Sequence, residues 1–292
     1  MASIVRFLVL SDTHNSRFPD PHRFPAVDVV LHCGDMTMAG GLSNYRSAIT
    51  SLEQINAELK LVIAGNHDLE LDNGWWLANL DEDDDPDDSR RAREIMNSAR
   101  DKGIHYLEEG LHQFTLRSGA AFSVYASAYT PEFNGYAFAY GSDEDRFAGA
   151  TGKAKNPIPA DVDIVMTHGP LGISTSFRLP GSVDYALDTN VEGEHLGCPR
   201  LWQAVQSTKP LLHCFGHIHE GYGAQALTWS QEERGLIQNS PFETFPHHRE
   251  LQHCSQTRSQ CLLVNASIMS HGQEGNNAPW VVELDLAGAP RN

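Results

Sequence analysis

Ile4-Val5-Arg6-Phe7-Leu8-Val9-Leu10, followed at once by Ser11-Asp12-Thr13-His14, is an apolar run that stops at a carboxylate and an imidazole. An almost continuous apolar run of this length reads as a strand covered on both faces, as in a parallel sheet flanked by other layers. The pattern repeats. Residues 27–32 form a second apolar run that ends in Gly34-Asp35, and residues 61–64 form a third that ends in Gly65-Asn66-His67-Asp68. Between these two, residues 43–59 place Tyr45, Ile49, Leu52, Ile55 and Leu59 at helical spacing, giving a β–α alternation. Farther on, residues 162–166 lead into Thr167-His168-Gly169-Pro170, and residues 211–215 into Gly216-His217-Ile218-His219. Ligands of such sheets bind outside the carboxyl ends of the strands, so these loops are aimed at one rim.

The 292 residues carry 38 Asp and Glu against 21 Lys and Arg, a formal net charge of −17. That balance argues against a generic nucleic-acid or membrane-surface binder, and the absence of a basic track argues against a nuclease. Hydrophobic residues at 40% and charged residues at 20% are ordinary for a globular chain, and one domain over residues 1–292 is expected. No stretch approaches the roughly 18–20 apolar residues of a membrane span. The first apolar run is short, is interrupted by Arg6 and lacks a small-residue cleavage site, so it reads as a strand rather than a signal peptide. Five scattered cysteines, an odd number, point to reduced thiols and a cytoplasmic setting.

Two stretches read as insertions. Residues 72–100 hold Trp75-Trp76, an acidic run from Asp81 to Asp88 that reads as a solvated loop, and a helix expected from Ser89 to about Lys102. Residues 228–260 turn polar, with Pro241 and Pro246, and read as a long irregular loop. Within and just after it, His247, His248, His253, Cys254 and Cys261 match no ordinary zinc-finger spacing. Residues 104–107, 113–116 and 121–125 alternate as strands of a second half, and 262–264 and 280–284 read as closing strands. Tyr129, Phe133, Tyr136, Phe138 and Tyr140 form an aromatic loop, read as packing onto the core in preference to a nucleobase platform. His195 and Arg178 have positional support alone as contacts for a phosphate or leaving group.

Singly, each loop motif is unremarkable: a Gly-Asp is a turn, and a lone histidine after a strand is an ordinary loop residue. Together, Asp12, His14, Asp35, Asn66, His168, His217 and His219 mix carboxylate, amide and imidazole donors, which suits transition metals better than all-oxygen cages do. Seven donors exceed the roughly four protein ligands of one such ion, so two cations are inferred. Two divalent ions set against the carboxylates of Asp12 and Asp35 leave the centre formally positive, so an acidic protein can still hold an anionic substrate.

The ordered set Asp12-Thr13-His14, Gly34-Asp35, Gly65-Asn66-His67-Asp68, His168 and Gly216-His217-Ile218-His219 resembles the signature of the calcineurin-like metallophosphoesterases. Leu196-Gly197-Cys198-Pro199, the stretch around His217-Ile218-His219-Glu220-Gly221-Tyr222-Gly223 and Tyr129-Thr130-Pro131-Glu132-Phe133 are similar to the subfamily of metallophosphoesterase-domain-containing proteins of brain and fungi. The resemblance implies an α/β fold, a four-layer α/β/β/α sandwich of two mixed sheets flanked by helices. It also implies two divalent transition-metal ions, manganese first, with iron, zinc, cobalt, nickel or magnesium as alternatives. Asp12, His14, Asp35 and His219 would hold one ion and Asp35, Asn66, His168 and His217 the other. His67 would protonate the leaving group, and Asp68 would orient its ring. The expected reaction is hydrolysis of a small-molecule phosphate ester, a phosphodiester, nucleotide or phosphorylated metabolite, by a metal-bridging hydroxide. The alternative is a catalytically weak nucleotide-binding or scaffold protein on the same fold. Some subfamily members carry glycine where His217 stands, whereas this chain keeps the histidine. Protein phosphatases of the superfamily show Gly-Asp-x-x-Asp-Arg-Gly, and here the text is Gly34-Asp35-Met36-Thr37-Met38-Ala39-Gly40, which argues against a phosphoprotein substrate.

Overall fold

A computed structural model describes residues 3–16, 24–148, 154–173, 181–229, 235–251, 258–270 and 276–286. Its first part runs β1 (Ser3–Leu10), β2 (Val29–His32), α1 (Leu42–Glu53), β3 (Leu59–Val62), α2 (Asn73–Ala78), α3 (Asp88–Ser98) and β4 (Ile104–Tyr106). The middle runs β5 (Gly110–Thr115), β6 (Ala121–Ser127), β7 (Thr130–Pro131), β8 (Ala139–Tyr140), β9 (Ile164–Thr167), α4 (Pro199–Thr208) and β10 (Leu212–Phe215). The last part is β11 (Gly223–Trp229), β12 (Gly235–Asn239), β13 (Phe242–Thr244), β14 (Arg249–Leu251), β15 (Gln260–Asn265) and β16 (Trp280–Leu286).

Two seven-stranded mixed sheets result, ordered β13-β14-β16-β1-β2-β3-β4 and β12-β11-β15-β10-β9-β6-β5. In the first, β1 to β4 are parallel and β16 is antiparallel to β1; in the second, β6, β9, β10 and β15 are parallel. The sequence of β1 explains the layering. Val5, Phe7 and Val9 point into the core between the sheets, against Val124, Ile164, Leu212 and Val264, whereas Leu8 and Leu10 point outward onto Tyr45, Ile49 and Leu52 of α1 and Met96 of α3. On the far side, Leu201, Trp202 and Val205 of α4 cover Val165, Phe215 and Leu263. The architecture is therefore the expected four-layer sandwich, and both faces of its central strands are apolar because both are covered.

Some boundaries differ from those expected. The helix placed at 43–59 ends at Glu53, and Ile55 remains buried from a turn that leads into β3. The helix placed at 89–102 ends at Ser98, and Gly103, at φ 73°, turns the chain into β4. The acidic run before it lies at the surface, and Arg90 and Arg91 pair with Asp87, Asp88 and Asp85 across the first turn of α3. The irregular loop expected at 228–260 is corrected: β12, β13 and β14 run through its described part. These strands are short, and β13, at a sheet edge, is exposed at all three positions, so no alternation marks it. His253 and Cys254 lie outside the described residues; Cys261 is buried beside Leu263, and His248 stacks on Phe245.

Candidate metal centre

The carboxyl ends of both sets of parallel strands open on one rim, and backbone hydrogen bonds join them there. Ser11 N donates to Ala266 O at 2.9 Å, Ala266 N to Phe215 O at 2.8 Å, and Gly216 N to His168 O at 2.9 Å. Asp12 N donates to Gly34 O at 3.0 Å and His14 N to Asp35 O at 3.1 Å. Loops from different sheets thus hold one another in register before any ligand is considered.

Onto this frame the structure brings the donors read from the sequence. Ligand atoms of Asp12, His14 and His219 lie within 4.8 Å of one another, as do those of Asp12, Asp35 and His168. Asp35 Oδ2 stands 3.6 Å from His14 Nε2 and 3.4 Å from His168 Nε2, facing both groups. Asn66 Oδ1 lies 2.8 Å from His168 Nε2, and the ring of His217 sits 5.0 Å from that of His168, centroid to centroid. Asp12, Asp35 and His168 are almost wholly buried.

The imidazoles are aimed by their other nitrogens. His14 Nδ1 donates to Thr37 O at 3.1 Å and His168 Nδ1 to Cys33 O at 2.9 Å, so each presents Nε2 inward, the arrangement that orients metal-binding histidines. His14 Nε2 and His219 Nε2 approach to 3.3 Å. Four of the donor residues, Asp12, His14, Asp35 and His217, have φ between 42° and 69°, a region non-glycine residues visit at a cost of about 1–3 kcal/mol each. Convergent nitrogen and carboxylate donors on strained backbone fit divalent cations and have no packing rationale.

The titration behaviour agrees. Burial would raise Asp12 and Asp35, but His219, His168 and His14 hold Asp12 well below the carboxylate range, and chiefly His168 lowers Asp35. Burial would lower His168, yet Asp35 and Asp12 outweigh it and lift it to about 9. His217, desolvated and beside His168, falls to about 4. The two buried carboxylates therefore demand positive charge, which cations supply in place of protons.

His67 stands at the edge of the group. Its Nδ1 donates to Met38 O at 2.7 Å, its ring meets His14 edge-on at 5.0 Å, and Tyr136 leans over it at 4.5 Å. The role expected of Asp68 is corrected, since Met38 O and not its carboxylate takes the His67 ring. Asp68 instead accepts from Gly65 N at 2.9 Å, Thr37 N at 3.0 Å, Thr37 Oγ1 at 2.9 Å and Met36 N at 3.3 Å. It ties the Gly65–Asp68 turn to the Asp35 loop, and burial together with Asp35 pushes it up to about 7. Of the aromatic loop, Phe138 and Tyr140 pack inward as expected, whereas Tyr136 belongs to the site.

Ser267 was not singled out from the sequence. Its hydroxyl donates to Asp12 Oδ2 at 2.7 Å, and His217 N donates to the same carboxylate at 3.0 Å. The signal was present, because Ser267 follows the apolar run 262–264 as Asp12 follows 4–10. Gly216 completes this corner: a Cβ there would fall 2.0 Å from Asp12 Oδ2 and 2.2 Å from Ser11 Oγ. Gly216→Ala is therefore expected to displace Asp12, weaken metal retention at least about tenfold and cost about 1–3 kcal/mol of stability. Metal content after dialysis and thermal unfolding would check both.

Residues 5–221 match the model of the calcineurin-like phosphoesterase family. The chain is 30% identical over 234 residues to probable rhamnogalacturonate lyase C of Emericella nidulans, an alignment that covers 80% of this chain and 19% of that protein. It is 32% identical over 233 residues to metallophosphoesterase domain-containing protein 1 of Homo sapiens, covering 76% of this chain and 62% of the relative. UPF0046 protein T07D4.2 of Caenorhabditis elegans is 27% identical over 233 residues, covering 75% of this chain and 52% of the relative. The chain thus spans less than two thirds of the length of each of these relatives.

Proposed function

The chain belongs to the calcineurin-like phosphoesterase family, and from that premise we propose that it hydrolyses a phosphate ester of a small molecule, a diester or a monoester, with two divalent cations. What carries the reading is the convergence of Asp12, His14 and His219, and of Asp12, Asp35 and His168, with His67 beside them. Asp12, His14, Asp35 and His219 would hold one cation, and Asp35, Asn66, His168 and His217 the other, manganese being the first candidate. Bound ions supply Lewis acidity toward the phosphoryl oxygens.

The rest is done by the chain. Met38 O fixes the Nδ1–H of His67, which leaves Nε2 as the nitrogen that passes a proton to the departing oxygen. Tyr136 covers the outer face of that ring and restrains its tilt. Asp68 holds the turn that carries Asn66 and His67, acting through the backbone and not on the substrate. No helix among the described residues is long and apolar enough to cross a membrane. Cys33, Cys198 and Cys214 are buried free thiols, which supports the proposal of a reducing, cytoplasmic setting.

The test is metal-reconstituted turnover of bis(p-nitrophenyl) phosphate and p-nitrophenyl phosphate. Chelation is expected to bring hydrolysis to background and added manganese to restore it. The preferred ester then assigns the diester or monoester class. Failure to hydrolyse any of a broad panel of esters with any of the candidate metals would overturn the reading.

A further inference from the structure

Asp188, in the turn that follows Leu187, is fully buried. Its Oδ1 accepts from His195 Nδ1 at 2.7 Å and its Oδ2 from Gly197 N at 3.2 Å, while Leu196 N donates to its carbonyl at 3.0 Å and a bridge pairs Thr189 with His195. A buried carboxylate is costly, and here its side-chain partners are one imidazole and one backbone amide. The His195 side chain is 51% exposed. With Nδ1 committed to Asp188, Nε2 is the nitrogen turned to solvent, an oriented imidazole of the kind that serves a ligand.

The position of this hairpin gives the imidazole a purpose. Asn265 Nδ2 donates both to Leu187 O at 3.0 Å and to Ile218 O at 2.8 Å, and Ile218 stands between His217 and His219. Gly221 packs so closely that a Cβ would lie 2.4 Å from Leu187 O. Cys198 N donates to Pro170 O at 3.0 Å, and Gly172 N returns a bond to Cys198 O at 3.0 Å, just beyond His168. The segment that carries Asp188 and His195 is therefore fastened at both ends to the loops that present His168, His217 and His219. His67 comes from the opposite, first-sheet side.

We propose that His195, oriented by Asp188, is a specificity-determining residue that donates a hydrogen bond to a hydroxyl or anionic oxygen on the part of the substrate extending beyond the reacting phosphoryl, on the second-sheet side of the centre. The proposal rests on the phosphoesterase reading and adds a substrate class to it: esters whose non-leaving arm bears a hydroxyl or an anionic oxygen. A site built to bond such an oxygen discriminates strongly against an arm without one.

Two chromogenic diesters share the leaving group and differ in that arm, bis(p-nitrophenyl) phosphate and the p-nitrophenyl ester of thymidine 5′-phosphate. His195→Ala is expected to raise KM for the thymidine ester about tenfold or more, with kcat little changed, and to leave bis(p-nitrophenyl) phosphate within about threefold. Asp188→Asn is expected to shift the same substrate in the same direction by less. Added imidazole should restore part of the loss in His195→Ala, which a merely structural role would not allow, and the thermal midpoint of that variant should be unchanged. Binding of thymidine 5′-phosphate, followed by titration calorimetry, should weaken in parallel. Equal losses on both esters, or no loss on either, would overturn the proposal while leaving the phosphoesterase reading intact. A wild-type protein inactive on both esters and on the wider panel would remove that reading and this proposal with it.

Discussion

Asp35→Asn is expected to leave a folded protein that neither retains metal nor turns over ester. Asparagine has the same shape and keeps an oxygen for the His67 amide, which now donates to Asp35 Oδ1 at 2.9 Å, so the loop should survive. What disappears is the charge. Asp35 faces His14 on one side and His168 on the other, and it is the carboxylate that chiefly raises His168 against the pull of burial. An amide there offers two donor groups a neutral oxygen or an N–H where both require an anion. Changes one shell farther out already cost about 10–100-fold in metal affinity, so loss of the Asp35 carboxylate should exceed about 10²-fold. Elemental analysis after equilibration with manganese, beside activity and circular dichroism, would check this. A fully active, metal-loaded Asp35→Asn protein would end the two-cation account.

Most of this centre was legible because strand ends in a doubly covered sheet leave a clear trace. An apolar run with no polar alternation has to be buried on both faces, and a polar cluster directly after it has to be at the rim. That rule puts Asp12, Asp35, Asn66, His168 and His217 at the rim from the sequence alone, and it reaches Ser267 as well. It could not place Asp68, since adjacency in Gly65-Asn66-His67-Asp68 says nothing of which way each side chain turns. In the fold, Asp68 points back to Thr37 and Met36 while His67 turns to Met38 O, a backbone partner with no signature in side-chain chemistry. The strands β12 to β14 escape the same rule because they are short and mostly polar. A strand identified by its covered face cannot be recognised where neither face is covered, as in β13, and the one buried apolar side chain that β12 and β14 each contribute, Ile237 and Leu251, forms no apolar run. Asp188 and His195 are seven residues apart in an irregular stretch, so their pairing is a property of the hairpin alone.

His67→Ala should separate the assembly of the centre from its chemistry. The ring touches Met38 O, His14 and Tyr136 but belongs to neither cluster of converging donor atoms, so the variant is expected to keep both cations. Its rate should nevertheless fall about 10²–10⁴-fold in kcat, the range of a positioned proton donor. The loss should depend on the leaving group. An ester with a poor, strongly basic leaving alkoxide needs the proton and should lose the full factor, whereas a p-nitrophenyl ester, whose phenolate departs unaided, should lose far less. Asp68→Asn offers the contrast, because it acts through the turn: it should lower metal retention and stability together, without that dependence on leaving group. Kinetics on the two ester types with metal analysis of both variants would decide the matter. A His67→Ala protein that lost its cations, or that slowed both esters alike, would make His67 part of the scaffold and not the acid.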